Sequence, residues 1–283
     1  MYNVELILKT CEIPAVPMVA MKVLNLINNP NTDLETLQNA IAADQSLAAR
    51  VLRVANSAFY GSRRNIDTVS DAIVMTGFQT IKNLVLAAAT RDVYKKFGLL
   101  EQKLWEHSIG VSVAAGILAR EVGGISREEA AVAGLLHDVG KVVMNNSQPE
   151  RFSMLTEMIY NDRVTFSQRE KEIFGFGHAE AGGLFAQRWE FPESLCDIIR
   201  RHHYDHYEDL MDLEPPGRTL CTVIALSDAL CVRLGVGYRG PMADLVLRDA
   251  ECRDILKISD DRYAEIIEDF KRAYIEEKSS YQM

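Results

Sequence analysis

Ala133-Gly134-Leu135-Leu136-His137-Asp138-Val139-Gly140-Lys141 is an apolar helical run broken by an imidazole and a carboxylate on adjacent residues. Burying that pair is costly unless a charge compensates it. A divalent cation is the most economical compensation, and it brings chemistry with it. Neutral imidazole together with carboxylate suits zinc, iron or manganese, whereas magnesium prefers an all-oxygen site. One or two divalent ions are therefore expected, and Asp138, with two oxygens, is able to bridge a pair. Lys141 lies one helical turn further on, where it can face the same cavity and steady a phosphate; its bland alternative is a solvated lysine near a helix end.

Other polar residues interrupt apolar faces in the same way. His107 falls in the series His107, Val111, Ala114, Leu118, on the buried side of its helix. Alone it reads more simply as a hydrogen-bonded core histidine. Asp228 is flanked on one face by Leu220, Ile224 and Cys231, and buried aspartates are rare unless paired or ligating. His178 follows Phe174-Gly175-Phe176-Gly177 and is expected to begin a helix. His202-His203 closes the helix of Leu195, Ile198 and Ile199. Adjacent helical residues diverge by about 100°, so only one of these two histidines is easily a core filler. His206, beyond them, reads as a surface residue. The candidate metal ligands are thus His107, His137, Asp138, His178, His202, His203 and Asp228, with Asp138 and Lys141 as candidate catalytic residues.

The surrounding chain is helical by its periodicity. Val19, Val23 and Leu26 form one stripe, Leu34, Leu37 and Ile41 a second, and Leu47, Val51, Val54 and Ala58 a third. Spacings of three and four mark amphipathic helices. Thr32 with Glu35 and Ser126 with Glu129 have capping-box spacing. A long helical region over 68–97 is expected to be interrupted near Gly77. Alternating β-branched runs are missing, so the fold class is all-α. Gly98–Lys103 reads as a break before a helix that starts near Trp105. We therefore expect a helical N-terminal segment over 1–98 and a helical domain carrying the metal site over 99–283.

The order H…HD…H…HH…D resembles the HD superfamily of metal-dependent phosphohydrolases. Ile13-Pro14-Ala15-Val16-Pro17, the stretch Asp44–Gly61 with its Ala55-Asn56-Ser57-Ala58-Phe59-Tyr60-Gly61, Asp71–Gly77 and Leu104-Trp105-Glu106-His107-Ser108 narrow this to the HDOD family, over about residues 10 to 210. The resemblance implies a bacterial signal-transduction output module on the helical HD scaffold, with an added helical N-terminal segment. Many such proteins have lost the metal ligands; this sequence keeps them. In the related HD-GYP phosphodiesterases for cyclic di-GMP, positions matching His107, His137, Asp138, Lys141, His178, His202, His203 and Asp228 bind metal or substrate phosphate. Two departures count against that activity here. No Gly-Tyr-Pro follows the double histidine, and Lys103 stands where some relatives place a glutamate ligand.

Composition bounds the rest. No apolar stretch is long enough to span a bilayer, and the first residues lack the pattern of a signal peptide, so a cytoplasmic location and no membrane partner are expected. Five widely spaced cysteines without a C-x-x-C argue against a disulfide framework or a cysteine zinc site. A net charge of −9 repels phosphate backbones, which argues against nucleic acid despite Arg50, Arg53, Arg63 and Arg64. It does not oppose a small anion held by a cation. The expected function is regulatory, acting by binding a small anionic ligand or nucleotide or a regulatory protein partner. The alternative is a metal-dependent phosphohydrolase or phosphodiesterase acting on a nucleotide or cyclic nucleotide.

Overall fold

The computed structural model describes residues 4–14, 17–29, 31–56, 66–90, 93–94, 98–237, 240–242, 245 and 247–281. Among them there are helices and turns and no strand. No helix is long and apolar enough to cross a membrane. The chain divides into two compact units, Met1–Pro14 with Tyr94–Phe270, and Ala15–Val93 with Lys271–Met283. Each unit thus takes two pieces of chain, where the sequence suggested one cut at residue 98.

The smaller unit contains α2 (Met18–Asn28), α3 (Leu34–Ala42), α4 (Gln45–Ala55) and α5 (Val69–Thr90), which pack on one another. The stripes meet there: Val23, Leu37, Ile41, Leu47 and Val51 are all buried. The cap of α3 is Asp33, whose side chain accepts from the Thr36 N–H at 2.7 Å; Thr32 lies one residue too early. Asn56 clasps Ile66 by donating to its carbonyl and accepting from its N–H, both at 2.7 Å. The rest of that motif, residues 57–65 including Ala58, Gly61, Arg63 and Arg64, lies outside the described residues, as do the side chains of Arg50, Arg53 and Val54. The expected interruption of α5 is at Gly77, with φ 82° and ψ 163°. Essentially only glycine adopts that conformation.

The larger unit holds α1 (Val4–Thr10), α6 (Leu99–Val122), α7 (Arg127–Leu136), α8 (Val139–Ser147), α9 (Pro149–Asp162), α10 (Phe166–Phe174), α11 (His178–Arg188), α12 (Glu193–Arg201), α13 (Pro215–Leu234), α14 (Asp249–Leu256) and the first half of α15 (Asp260–Tyr281). The first residues join it through polar bonds: the Glu12 N–H donates to Ser147 Oγ at 3.0 Å, and Trp189 Nε1 donates to the Pro14 carbonyl at 2.9 Å. Residues 99–103 are helical, correcting the expected start at Trp105; Glu101 reaches back to accept the Gly98 N–H at 2.9 Å, which lets α6 begin directly after Gly98. Ser126 caps α7 by accepting from the Glu129 N–H at 3.1 Å. All five cysteines are free and buried.

The packing positions the site. α6 lies against α7 and α13, and α8 against α11, which in turn meets α12. At Gly140 the approach of α8 to α11 is so close that a Cβ would stand 1.9 Å from the His178 carbonyl oxygen. That contact sets the residues just before and after Gly140 against the start of α11.

Candidate metal centre

All seven proposed ligands come together. His107 comes from α6, His137 and Asp138 from the junction of α7 and α8, His178 from the first position of α11, His202 and His203 from the end of α12, and Asp228 from α13. Two groups have ligand atoms mutually within 4.8 Å: Asp138, His178, His202 and His203, and His107, His137 and Asp228. Asp138 faces both. Its Oδ2 lies 3.3 Å from His137 Nε2 and 3.6 Å from His107 Nε2, while its Oδ1 lies 3.1 Å from His178 Nε2 and 3.8 Å from His202 Nε2. All but His203, which is half-buried, are buried.

The imidazole tautomers follow from their other partners. His107 Nδ1 faces the Val236 carbonyl at 3.1 Å, His137 Nδ1 that of Gly134 at 2.7 Å, His202 Nδ1 that of Ile199 at 2.9 Å, and His178 Nδ1 the Glu170 carboxylate at 2.6 Å. Every one of these partners is an acceptor, so each Nδ1 carries a hydrogen, and a ring that is neutral then turns a bare Nε2 lone pair inward. This is the arrangement in which a metal-binding histidine is oriented by its far nitrogen.

Without a cation the inward face is poorly satisfied. His178 Nε2 and His202 Nε2 stand 3.2 Å apart, lone pair against lone pair unless a proton or a cation lies between. Burial most strongly opposes charge on His178, yet Glu170 and Asp138 together outweigh it and push the ring up to about 9. Burial, reinforced by the charges of His137 and His178, pushes His202 down to about 4. One ring holding a proton and its neighbour refusing one is the metal-free response to the same geometry. Among the described residues, His137 Nε2 and Asp138 Oδ1 are buried without a hydrogen-bond partner. Such orphaned atoms are rare in folded proteins. A cation contacting both would satisfy them, so the residues present fit a divalent metal.

Charge points the same way. Among the described residues, the buried carboxylates of Asp138, Asp228 and Glu170 face the one buried ammonium of Lys141. Lys141 donates to Asp138 Oδ2 at 2.6 Å and lies 4.5 Å over the Phe166 ring. Burial alone would neutralise it, but Asp138, Asp228 and Glu170 hold its ammonium above the ordinary range. Burial likewise resists charge on both aspartates. His137, Lys141 and His178 nonetheless hold Asp138 well below the usual carboxylate range, and His107 does the same for Asp228, whose Oδ1 faces His107 Nε2 at 2.9 Å.

A cavity of about 260 Å³ opens beside the cluster, with Lys141, His202, His203 and Asp228 in its wall. Lys141 therefore faces the same cavity as the ligands. His206 is exposed.

Glu170 escaped the sequence reading. It sits in the charged run Arg169-Glu170-Lys171-Glu172, which resembles a solvated face, yet it is fully buried. Its Oε2 accepts from both the backbone N–H and Nδ1 of His178, at 2.9 and 2.6 Å. Replacing an outer carboxylate of this kind typically costs 10–100-fold in metal affinity. Glu170→Gln is thus expected to weaken metal binding by about 10–100-fold in a chelator-competition titration; unchanged affinity would remove Glu170 from the centre.

A model of the HDOD domain matches residues 13–204, well over half of the chain. The chain belongs to the HDOD domain family. An HDOD domain protein of unknown function from Geobacter sulfurreducens is similar over 99% of this chain and 97% of its own, with a TM-score of 0.76 and 26% identity. A Shewanella amazonensis protein described as a candidate phosphohydrolase covers 98% of each chain, with a TM-score of 0.70 and 25% identity. Among curated relatives, an uncharacterized protein of Treponema pallidum is 28% identical over 68% of this HDOD chain, and Ribonuclease Y of Geobacter sulfurreducens 26% identical over 58% of it. The matches span only 38% and 26% of those relatives' lengths.

Proposed function

We propose that this HDOD protein is a signal-transduction regulator whose metal centre is its ligand-responsive part, receiving a small phosphate-bearing anion and passing the change to a protein partner. The observation that carries this reading is the convergence of inward Nε2 lone pairs on Asp138 and Asp228, beside a cavity that Lys141 enters. Membership of the HDOD family and the lack of Gly-Tyr-Pro after His203 favour regulation over cyclic di-GMP hydrolysis.

His107, His137, Asp138 and Asp228 would hold one divalent ion, and Asp138, His178, His202 and His203 a second; iron, zinc and manganese suit this donor set. Bound there, a divalent ion supplies Lewis acidity and lowers the pKa of a coordinated water. The chain's own part is positional. Glu170 and the carbonyls of Val236, Gly134 and Ile199 fix the rings, and Lys141 draws an anion to the cluster. Phe166 covers Lys141, so that charge acts where water is scarce and electrostatics are strong.

The cavity's opening onto the cluster favours a second reading, hydrolysis of the same ligand. A panel of nucleotides, cyclic dinucleotides and simple phosphoesters, incubated with the metal-loaded chain, separates the two. Saturable binding without turnover is expected. Sustained metal-dependent hydrolysis abolished by Asp138→Ala would establish the second reading in place of the first.

A further inference from the structure

The cavity extends beyond the metal cluster, and its outer wall carries groups that neither holding metal nor meeting phosphate uses. Ala225, Ala229, Val232 and Leu247 give it apolar lining. Polar lining comes from the start of α10, with its N-cap Thr165 and with Ser167 and Gln168. Arg248 lines it as well. It follows the site closely in space, because its Nη1 donates to the carbonyl of Tyr204, the residue directly after His203.

Arg248 is held as a fixed plane. Its guanidinium carbon lies 4.3 Å from the centre of the Tyr204 ring. Its Nε and Nη2 grip the two oxygens of Glu251 at 2.9 and 2.6 Å. About a third of the side chain, 32%, remains accessible. The pairing decides what this arginine can do. A guanidinium already spanned by a carboxylate has little charge left for a phosphate, and Lys141 with the metal cluster serves that purpose. What remains is a flat, delocalised, pre-oriented surface backed by an aromatic ring, and such surfaces stack on bases. Gln168 adds an edge reader. Its Oε1 accepts the Thr165 N–H at 2.8 Å, which fixes the amide while its NH₂ remains a donor group for ring nitrogens or carbonyls.

Resting on the anion-site reading above, we propose that the cavity takes a nucleoside monophosphate, its phosphate toward Lys141 and its base stacked on Arg248 against Tyr204. The size argues for one nucleotide, not two: about 260 Å³ lies below the roughly 300–1,000 Å³ of cavities that enclose larger ligands. Arg248 is on this view a specificity residue, recognising the base and not the phosphate.

The test is calorimetric titration of the full metal-loaded chain with adenosine 5′-monophosphate, ribose 5-phosphate, inorganic phosphate and a cyclic dinucleotide. Stacking of one base predicts that the nucleotide binds about tenfold or more tighter than ribose 5-phosphate. Arg248→Lys keeps the charge and loses the plane, so the ratio of those two affinities should fall to within about twofold of one. Arg248→Ala should do the same. Because each ratio is measured within one protein, it does not depend on how much of a variant is loaded. A wild-type ratio near one, an unchanged ratio in Arg248→Lys, or a cyclic dinucleotide bound more tightly than the mononucleotide would each overturn the inference. If ribose 5-phosphate and inorganic phosphate bind without a base preference, the anion-site reading survives and only the role of Arg248 falls. If no phosphate-bearing probe binds, both fall together.

Discussion

Gly140→Ala should strip the protein of its metal affinity and lower its melting temperature by about 6–12 °C. The new methyl would stand 1.9 Å from the His178 carbonyl oxygen and 2.7 Å from the Gly182 nitrogen. Both are backbone atoms, so no side chain can swing aside and α8 must move away from α11. Overpacking typically costs about 1–3 kcal/mol, and a backbone collision belongs at the upper end. For a unit of this size, about 3 kcal/mol corresponds to the shift given. The functional loss should exceed the stability loss. Gly140 lies between Asp138 and Lys141 on one side and His178 on the other, so separating the helices pulls the two ligand groups apart. Thermal melting and manganese titration of the same preparation read both effects. A variant with wild-type melting temperature and stoichiometry would mean that the close approach of α8 and α11 does not build the site.

Asp138→Ala should be the most damaging single change to the metal-stripped protein. Lys141 is 3% exposed and donates to Asp138 at 2.6 Å. Removing the carboxylate to which Lys141 donates breaks a buried ion pair, at about 3–5 kcal/mol. The loss should therefore appear in urea denaturation with a chelator present, before any metal is considered. Adding Lys141→Met removes the ammonium as well, so the double variant should recover most of the stability, a coupling that a double-mutant cycle measures. A double variant no more stable than Asp138→Ala would show that the damage arises from packing or from the histidines, and not from the ion pair.

The ligands themselves were legible in the sequence because each violates a pattern. His107, Asp138 and Asp228 put polar groups where helical spacing demands apolar ones, and the helices bring those faces together. The all-α fold was legible for the same reason, since Val23, Leu37, Ile41, Leu47 and Val51 recur at spacings that only a helix buries on one side. What orients the ligands was not. Val236, Gly134 and Ile199 act through carbonyls, which every residue has. Glu170 is disguised by its charged neighbours, and nothing local says that it turns inward to His178. Gly140 reads as an ordinary helix-weakening residue until α11 is seen against it. Arg248 lies 107 positions after Lys141, and only the fold places them on one cavity. The division into units was obscured because part of what ties residues 4–14 to the larger unit is hydrogen bonds with Ser147, Gln148 and Trp189, which leave no periodic trace.

The most direct measurement is metal content per chain, by elemental analysis of the untagged protein purified without chelator, with Asp138→Ala prepared in parallel. One or two equivalents of iron, zinc or manganese in the wild type, lost in the variant, is the predicted result. Wild-type protein without metal, and taking up none when titrated with these ions, would contradict the account. The inward histidines would then be satisfied by the proton on His178 and by one another.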